Sequence, residues 1–299
     1  MRILVTGGAG FIGKYLVKFL LEEGHDVIIF DNFSNSTKES ISHLIDLGAN
    51  VFEGDITNHH EIQNVGKHVD IMIHLAAKIS VTESILNPAE TIRVNVNGTR
   101  NVLEFCKQNS VKKLVVASSA AVYGEGNNSS SNERTITNPI SPYGKSKIMM
   151  EQEIEKFILE NKMNVVVLRF FNIFGVGQRV EYAGVITKFI EKIKQKKSLE
   201  IFGDGMQKRD FVAIEDVIDS IHKAIISKKN GTYNIASGNS ITINELANKI
   251  ITLSGEKIEI KFLPAKNGDI RYSHADISLA KKDLGFFPKF TLNKIKELL

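Results

Sequence analysis

Thr6-Gly7-Gly8-Ala9-Gly10-Phe11-Ile12-Gly13 lies between a short apolar run at residues 3–5 and an amphipathic stretch at residues 14–23. A strand that turns sharply into a helix needs residues that accept left-handed backbone angles and close backbone approach, and glycine does both. The turn also points the free N–H groups of a helix N-terminus at whatever sits in it, an arrangement suited to a pyrophosphate. Gly7, Gly10 and Gly13 are therefore read as cofactor-binding positions, together with Phe11 and Ile12 at the helix start. Asp31 ends the next apolar run, about 20 residues further on, where a carboxylate bonds both hydroxyls of a ribose. That carboxylate repels a 2′-phosphate, and no Arg or Lys stands between Asp31 and Thr37, so the expected cofactor is NAD rather than NADP.

The rest of the first half repeats the same rhythm. Short apolar runs at residues 3–5, 26–30, 49–53, 71–75, 113–117 and 164–169 alternate with helical patterns such as residues 14–23, 90–108 and 143–161. This alternation predicts an α/β fold with a doubly wound parallel sheet, whose ligand crevice opens at the carboxyl ends of the strands. We expect a Rossmann-type NAD-binding domain over residues 1–168 and a smaller C-terminal substrate-binding lobe over residues 169–299, some segments of which return to the first domain. Residues 125–139 are polar and read as a surface loop.

Composition narrows the functional classes. The 299 residues carry a net charge of +4 from lysines spread along the chain, without the basic block that nucleic acid calls for. Cys106 is the only cysteine and sits among apolar neighbours, which leaves no disulfide framework and no cysteine metal site; no metal is expected. Met1 leads almost directly into the glycine loop, and no apolar run approaches the roughly 18 residues of a membrane span. A cytoplasmic protein without membrane partners is expected.

Further candidates sit just after predicted strands. Asp55 and Ile56 in Gly54-Asp55-Ile56 can bracket an adenine, although an Asp there is as commonly a helix cap. In His74-Leu75-Ala76-Ala77 the small residues allow backbone to approach a cofactor, whereas His74 reads as a core histidine. Tyr143 and Lys147, four apart in Ser-Pro-Tyr-Gly-Lys-Ser-Lys, share one helical face. A free phenol titrates near about 10, so a tyrosine that moves protons at neutral pH needs a neighbouring cation, which Lys147 supplies.

Taken with Asn95-Val96-Asn97-Gly98-Thr99, Ser118-Ser119-Ala120-Ala121-Val122-Tyr123-Gly124, Arg169-Phe170-Phe171-Asn172, Arg209-Asp210-Phe211 and Gly268-Asp269, these motifs resemble the extended short-chain dehydrogenase/reductase family. Within it they resemble the NAD-dependent nucleotide-sugar 4-epimerases, and the likeness spans essentially the whole chain. The resemblance implies that Tyr143 takes the proton of the sugar 4-hydroxyl while NAD takes the C4 hydride. It implies that Lys147 binds the nicotinamide ribose and lowers the Tyr143 pKa, and that Ser119 orients the same hydroxyl. It carries Asn32, Leu75, Ala76, Ala77 and Asn95 into the cofactor site, and Asn172, Arg209, Lys266, Asp269 and Ser273 into the substrate site. Where dehydratases and decarboxylases of this family have acidic residues, this chain has Ala120 and Ala121, so elimination lacks its acid and base.

Ser273 matches a gatekeeper that is a tyrosine in epimerases restricted to glucose and galactose. A small residue there implies room for an N-acetyl group, so UDP-GlcNAc and UDP-GalNAc are the expected pair, with UDP-Glc and UDP-Gal alongside. The chain departs from the family at Ile79, where a lysine is common, and at Lys266, which stands for a bidentate arginine. A UDP-glucuronate 4-epimerase, with Arg271 pairing a sugar carboxylate, stays open as an alternative, as do a strict UDP-glucose 4-epimerase and a non-catalytic NAD-sensing module. The resemblance further implies a homodimer through a four-helix bundle built from residues 90–108 and 143–161.

Overall fold

The computed structural model describes residues 1–66, 68–126, 129–179, 184–265, 268 and 270–299. In chain order its strands are β1 (Arg2–Thr6), β2 (Asp26–Asp31), β3 (Asn50–Glu53), β4 (Ile71–His74), β5 (Lys113–Ser119), β6 (Asn164–Phe170), β7 (Asn172–Phe174), β8 (Leu199–Phe202), β9 (Lys208–Ala213), β10 (Gly231–Ile235), β11 (Ser240–Thr242), β12 (Ile260–Leu263) and β13 (Tyr272–Ser273). The apolar runs of the first half all become strands. Joined by β10, they pair in parallel in the order β10-β6-β5-β4-β1-β2-β3. The winding reverses between β1 and β4, which is where a doubly wound sheet opens its crevice.

These strands are apolar on both faces because both faces are covered. Ile3, Val5, Ile29, Ile73 and Val166 enter one core with Leu16, Val17 and Leu20 of the Phe11–Glu22 helix. Leu4, Ile28, Met72, Val116 and Val167 enter the other with Val102, Phe105 and Cys106 of the Gly98–Gln108 helix. Alternate residues of one strand thus belong to different cores, the pattern a buried parallel sheet demands.

Residues 90–108 are helical, as their pattern predicts, but not α-helical throughout. Asn87 caps a short helix at Pro88–Ile92, a widened π turn follows at Arg93–Asn97, and only then does Gly98–Gln108 run as α-helix. The Pro142–Glu160 helix agrees with its pattern: Pro142 sits in the first turn, and the Ser141 hydroxyl accepts the Gly144 N–H at 3.1 Å.

The second half contributes to the central sheet and builds two smaller ones. β10 joins the central sheet beside β6, and the Ile214–Ile226 helix packs in the core with the Phe11–Glu22 helix. Outside the central sheet β9 pairs with β7 and β13 in parallel and with β11 antiparallel, while β8 pairs with β12. Val122, Tyr123, Phe171, Ala236, Ala275 and Ile277 form a separate, smaller apolar cluster. Residues 125–139 read as a plain surface loop, but their described part is a buttress. Glu125 accepts the Arg271 and Tyr272 N–H groups at 2.8 and 3.2 Å, and Ser131 N–H bonds His274 O at 2.8 Å. Among the described residues no helix is long and apolar enough to cross a membrane, and no His, Cys, Asp and Glu side chains gather as a metal site requires.

Candidate active site

A cavity of about 690 Å³ lies at the carboxyl ends of the central strands, over the point between β1 and β4 where the winding reverses. Gly7 takes φ +71°, and a Cβ there would stand 2.7 Å from Ala76 N, so the loop after β1 is pressed onto the end of β4. At Gly13 a Cβ would lie 2.3 Å from Gly7 O, which lets the helix close down on its own turn. The Phe11–Glu22 helix starts at Gly10 with no side-chain cap and no acidic residue in its first turn. Its N–H groups are left for an anion, which fits a pyrophosphate.

Asp31 accepts Ala9 N–H at 3.0 Å and Phe33 N–H at 2.9 Å, so its carboxylate is already aimed at the cavity beside the glycine turn. Burial pushes it above the usual carboxylate range, and those two backbone bonds pull against burial. Asn32 donates to Asp55 at 3.1 Å, and Asp55 also accepts the Thr57 N–H and hydroxyl at 2.8 and 2.7 Å. Burial raises Asp55, but the Thr57 and Asn32 bonds outweigh it and hold the group low. Gly7, Gly10, Phe11, Ile12 and Gly13 line the cavity, as do Asp31, Asn32, Asp55 and Ile56, and Leu75, Ala76 and Ala77.

Asn95 is placed differently. It lies in the π turn and does not line the cavity: its carbonyl accepts Lys78 N–H at 2.8 Å, and its amide donates to Lys78 O and Ser146 Oγ, both at 2.9 Å. Asn95 therefore holds the 77–78 loop to the helix of Tyr143 and acts on the cavity through that loop. His74 is a core histidine. Thr99 gives its proton to Asn95 O at 2.7 Å and so accepts from His74 Nε2 at 3.0 Å, leaving His74 Nδ1 to accept from Thr6 Oγ1 at 2.7 Å.

Ser119, Tyr143 and Lys147 meet at the cavity wall. Ser119 ends β5 and caps the Ala120–Val122 turn through Ala121 N–H at 3.2 Å. Gly144 allows the helix start to press on that turn, since a Cβ would stand 2.5 Å from Ala121 O. Burial pushes the Tyr143 phenol up, and its hydrogen bond with Ser119 pulls it down. Lys147 is buried, donates to Ala117 O at 2.9 Å, and is pushed down to about 8 by burial against the opposing charge of Glu151. It is thus mostly charged at neutral pH and able to stabilise a phenolate one turn away.

The described substrate candidates Asn172, Arg209 and Ser273 lie on the sheet of β7, β9 and β13, outside the cavity lining. Asn172 on β7 donates to Asp210 O at 2.8 Å, and Arg209 on β9 donates to Lys208 O at 2.9 Å. Ser273 on β13 is the register partner of Arg209, so the sheet sets these two side by side. Lys266 and Asp269 lie outside the described residues. Arg271 makes a bidentate pair with Asp204 at 2.6 and 2.8 Å. Sequence reasoning did not find Ser34, Gln178 or Arg179 among the lining residues. Arg179 reaches Asn35 O at 2.9 Å across 144 positions, a contact with no local signal.

Residues 3–236 match the NAD dependent epimerase/dehydratase family. The UDP-glucuronate 4-epimerase of Thermodesulfobacterium geofontis is 32% identical over 300 residues, covering 97% of this chain and 92% of that one. The UDP-glucose 4-epimerase of Thermotoga maritima, solved with UDP-glucose, superposes with a TM-score of 0.94 at 34% identity, over 100% of this chain and 97% of its own. The UDP-N-acetylglucosamine 4-epimerase of Methanobrevibacter ruminantium, solved with UDP-N-acetylmuramic acid, gives a TM-score of 0.93 at 33% identity, over 99% and 97% of the two chains.

Proposed function

The chain belongs to the NAD dependent epimerase/dehydratase family, and we propose that it reversibly inverts C4 of a UDP-hexose, with UDP-GlcNAc and UDP-GalNAc as its preferred pair. The observation that carries this reading is the meeting of Ser119, Tyr143 and Lys147 at the cavity wall, beside a turn whose side chains at 120 and 121 are only methyl groups.

NAD, when bound, supplies the hydride acceptor and donor at C4. The side chains manage the proton. Ser119 orients the 4-hydroxyl, the Tyr143 phenolate takes its proton, and the Lys147 ammonium keeps that phenolate accessible near neutral pH. After the 4-keto sugar has turned over and recovered hydride on its other face, Tyr143 returns the proton. Ala120 and Ala121 offer no second acid or base, so the cycle closes without elimination. For the cofactor, Asp31 and the open helix start would hold ribose and pyrophosphate, with Phe11, Asn32, Asp55 and Ile56 along the wall.

Ser273 supports the N-acetyl preference. It is small, half-buried, and paired in register with Arg209, the candidate diphosphate ligand. Arg271 is committed to Asp204, which weighs against it as the partner of a uronate. The test is to incubate purified protein, without added NAD, with UDP-GlcNAc, UDP-Glc and UDP-glucuronate separately and resolve products by NMR. Conversion of the acid alone would sink the N-acetyl preference, as would Ser273→Tyr turning over the N-acetyl sugars at least as well as the parent. We also place a homodimer on the Gly98–Gln108 and Pro142–Glu160 helices, where Met149 is exposed and Arg100 bridges to Glu153 at 3.0 Å. A monomer in sedimentation equilibrium rejects it.

A further inference from the structure

Glu151 sits one turn beyond Lys147 on the catalytic helix and is 6% exposed. Its carboxylate takes a forked pair of bonds from Arg169 at 2.6 and 3.0 Å, and the Ser118 hydroxyl donates to it at 2.5 Å. Ser118 immediately precedes Ser119, while Lys147 itself bonds Ala117 O. Both sides of the β5 end are thus tied to one helical turn. The chain of bonds continues outward. Arg169 donates to Tyr123 Oη at 2.9 Å, Tyr123 donates to Asn234 Oδ1 at 2.6 Å, and Asn234 Nδ2 donates to Ser131 O at 2.9 Å and Asp276 O at 3.2 Å. Ser131 in turn brackets the 274–276 segment, accepting Asp276 N–H at 2.8 Å and donating to His274 O at 2.8 Å. Ser273 is the next residue.

A buried ion pair is a poor device for stability alone, because well-packed apolar residues of like volume serve as well. What this pair supplies is direction. We propose that Glu151 is a positioning residue of the proton transfer: with Arg169 it locks Lys147 and Ser119 to each other, and through Tyr123 and Asn234 to the strand that carries Ser273. This rests on the reading that Tyr143 and Lys147 run the proton transfer. The groups facing Lys147 are Tyr143 and Glu151 from its own helix, His74 from β4, and Arg169 of β6 behind the carboxylate. His74, pushed down to about 3 by burial, stays neutral, so Glu151 is the anion that favours the charged ammonium. Removing it lowers the Lys147 pKa further, supports the Tyr143 phenolate less, and moves the phenol titration to higher pH.

The experiment compares the NAD-loaded parent with Glu151→Gln, with Glu151→Gln combined with Arg169→Met, and with Tyr123→Phe. Glu151→Gln alone strands a buried guanidinium and should lose thermal stability, and the double variant should recover most of it. In the double variant we expect NAD released on denaturation to match the parent and KM to hold. Its kcat near neutral pH should fall about tenfold, the effect of about one unit of pKa. The Tyr143 phenolate, followed by ultraviolet difference titration against Tyr143→Phe, should appear at higher pH than in the parent. Tyr123→Phe keeps the ion pair and removes the shorter of two outward links, leaving the one through Glu133, which accepts from Arg169 at 3.4 Å and from Asn234 N–H at 2.7 Å; kcat should hold while the preference for N-acetylated over plain UDP-hexose changes about threefold or more. Parent-like kcat and phenolate titration in a stable double variant overturn the proposal. Should the double variant not fold, an unchanged sugar preference in Tyr123→Phe overturns it. A parent protein that turns over no UDP-hexose overturns the underlying reading instead, which keeps the two failures apart.

Discussion

His74 lends itself to a quantitative test because its surroundings decide its protonation. It is 2% exposed, and both ring nitrogens are engaged with threonine hydroxyls, one accepting and one donating. Burial, with the Lys147 charge adding to it, pushes the imidazole from 6.5 down to about 3. In the unfolded chain the ring returns to about 6.5, so between about pH 6.5 and about pH 3 the unfolded state binds a proton that the folded state refuses. Stability therefore falls as pH falls through this window, at about 1.4 kcal/mol per unit. Near pH 5 the loss is about 2 kcal/mol, and because the folded ring is still neutral there, the figure depends only on the unfolded value. Replacing His74 with Gln keeps a donor and an acceptor but removes the titration. Urea unfolding of parent and His74→Gln at about pH 7.5 and about pH 5, with NAD saturating throughout so that ligand binding contributes equally, yields a difference of differences in which the remaining titrations cancel. We expect the parent to lose about 2 kcal/mol more than the variant on acidification. Equal losses, within about 0.5 kcal/mol, would mean that His74 is protonated in the folded protein and that the assigned tautomer is wrong.

Three further outcomes follow from the site. Tyr143→Phe should keep its NAD, measured after denaturation, yet lose about a hundredfold or more in kcat; normal turnover rejects the base assignment. Asp31→Ala, which removes a charged acceptor facing the ribose, should weaken NAD about tenfold to a hundredfold in calorimetry, and an unchanged Kd takes Asp31 out of the cofactor set. At Gly124 the backbone has φ +69° and a Cβ would stand 1.8 Å from Asn138 O. Gly124→Ala should therefore cost more than the about 1–2 kcal/mol of left-handed strain alone, and a melting temperature equal to the parent's contradicts the local geometry.

Legibility in the sequence followed the range of the interactions. The loop at residues 6–13 and the Tyr143–Lys147 pair were readable because their partners lie within a turn or two of chain. Asn95 was placed in the cofactor site by resemblance, but its bonds to Lys78 and Ser146 set it behind the wall, a role that depends on the π turn. Arg271 pairs with Asp204, 67 positions away, a contact that nothing local in the sequence announces. Residues 125–139 carried every sign of a loop, and nothing local showed that Glu125 and Ser131 brace residues 271–276.

By itself the sequence determined the Rossmann-type sheet, the glycine turn after its first strand and the placing of Tyr143 and Lys147 on one helical face, because backbone permissiveness, apolar alternation and helical spacing are local properties. Only the tertiary structure decided that β10 returns to the central sheet, that Ser273 lies in register with Arg209, and that Glu151 meets Arg169 beneath Lys147. Each of these depends on which distant segments pack together and in what register. That is settled by burying both faces of the sheet and satisfying the polar groups trapped beside it.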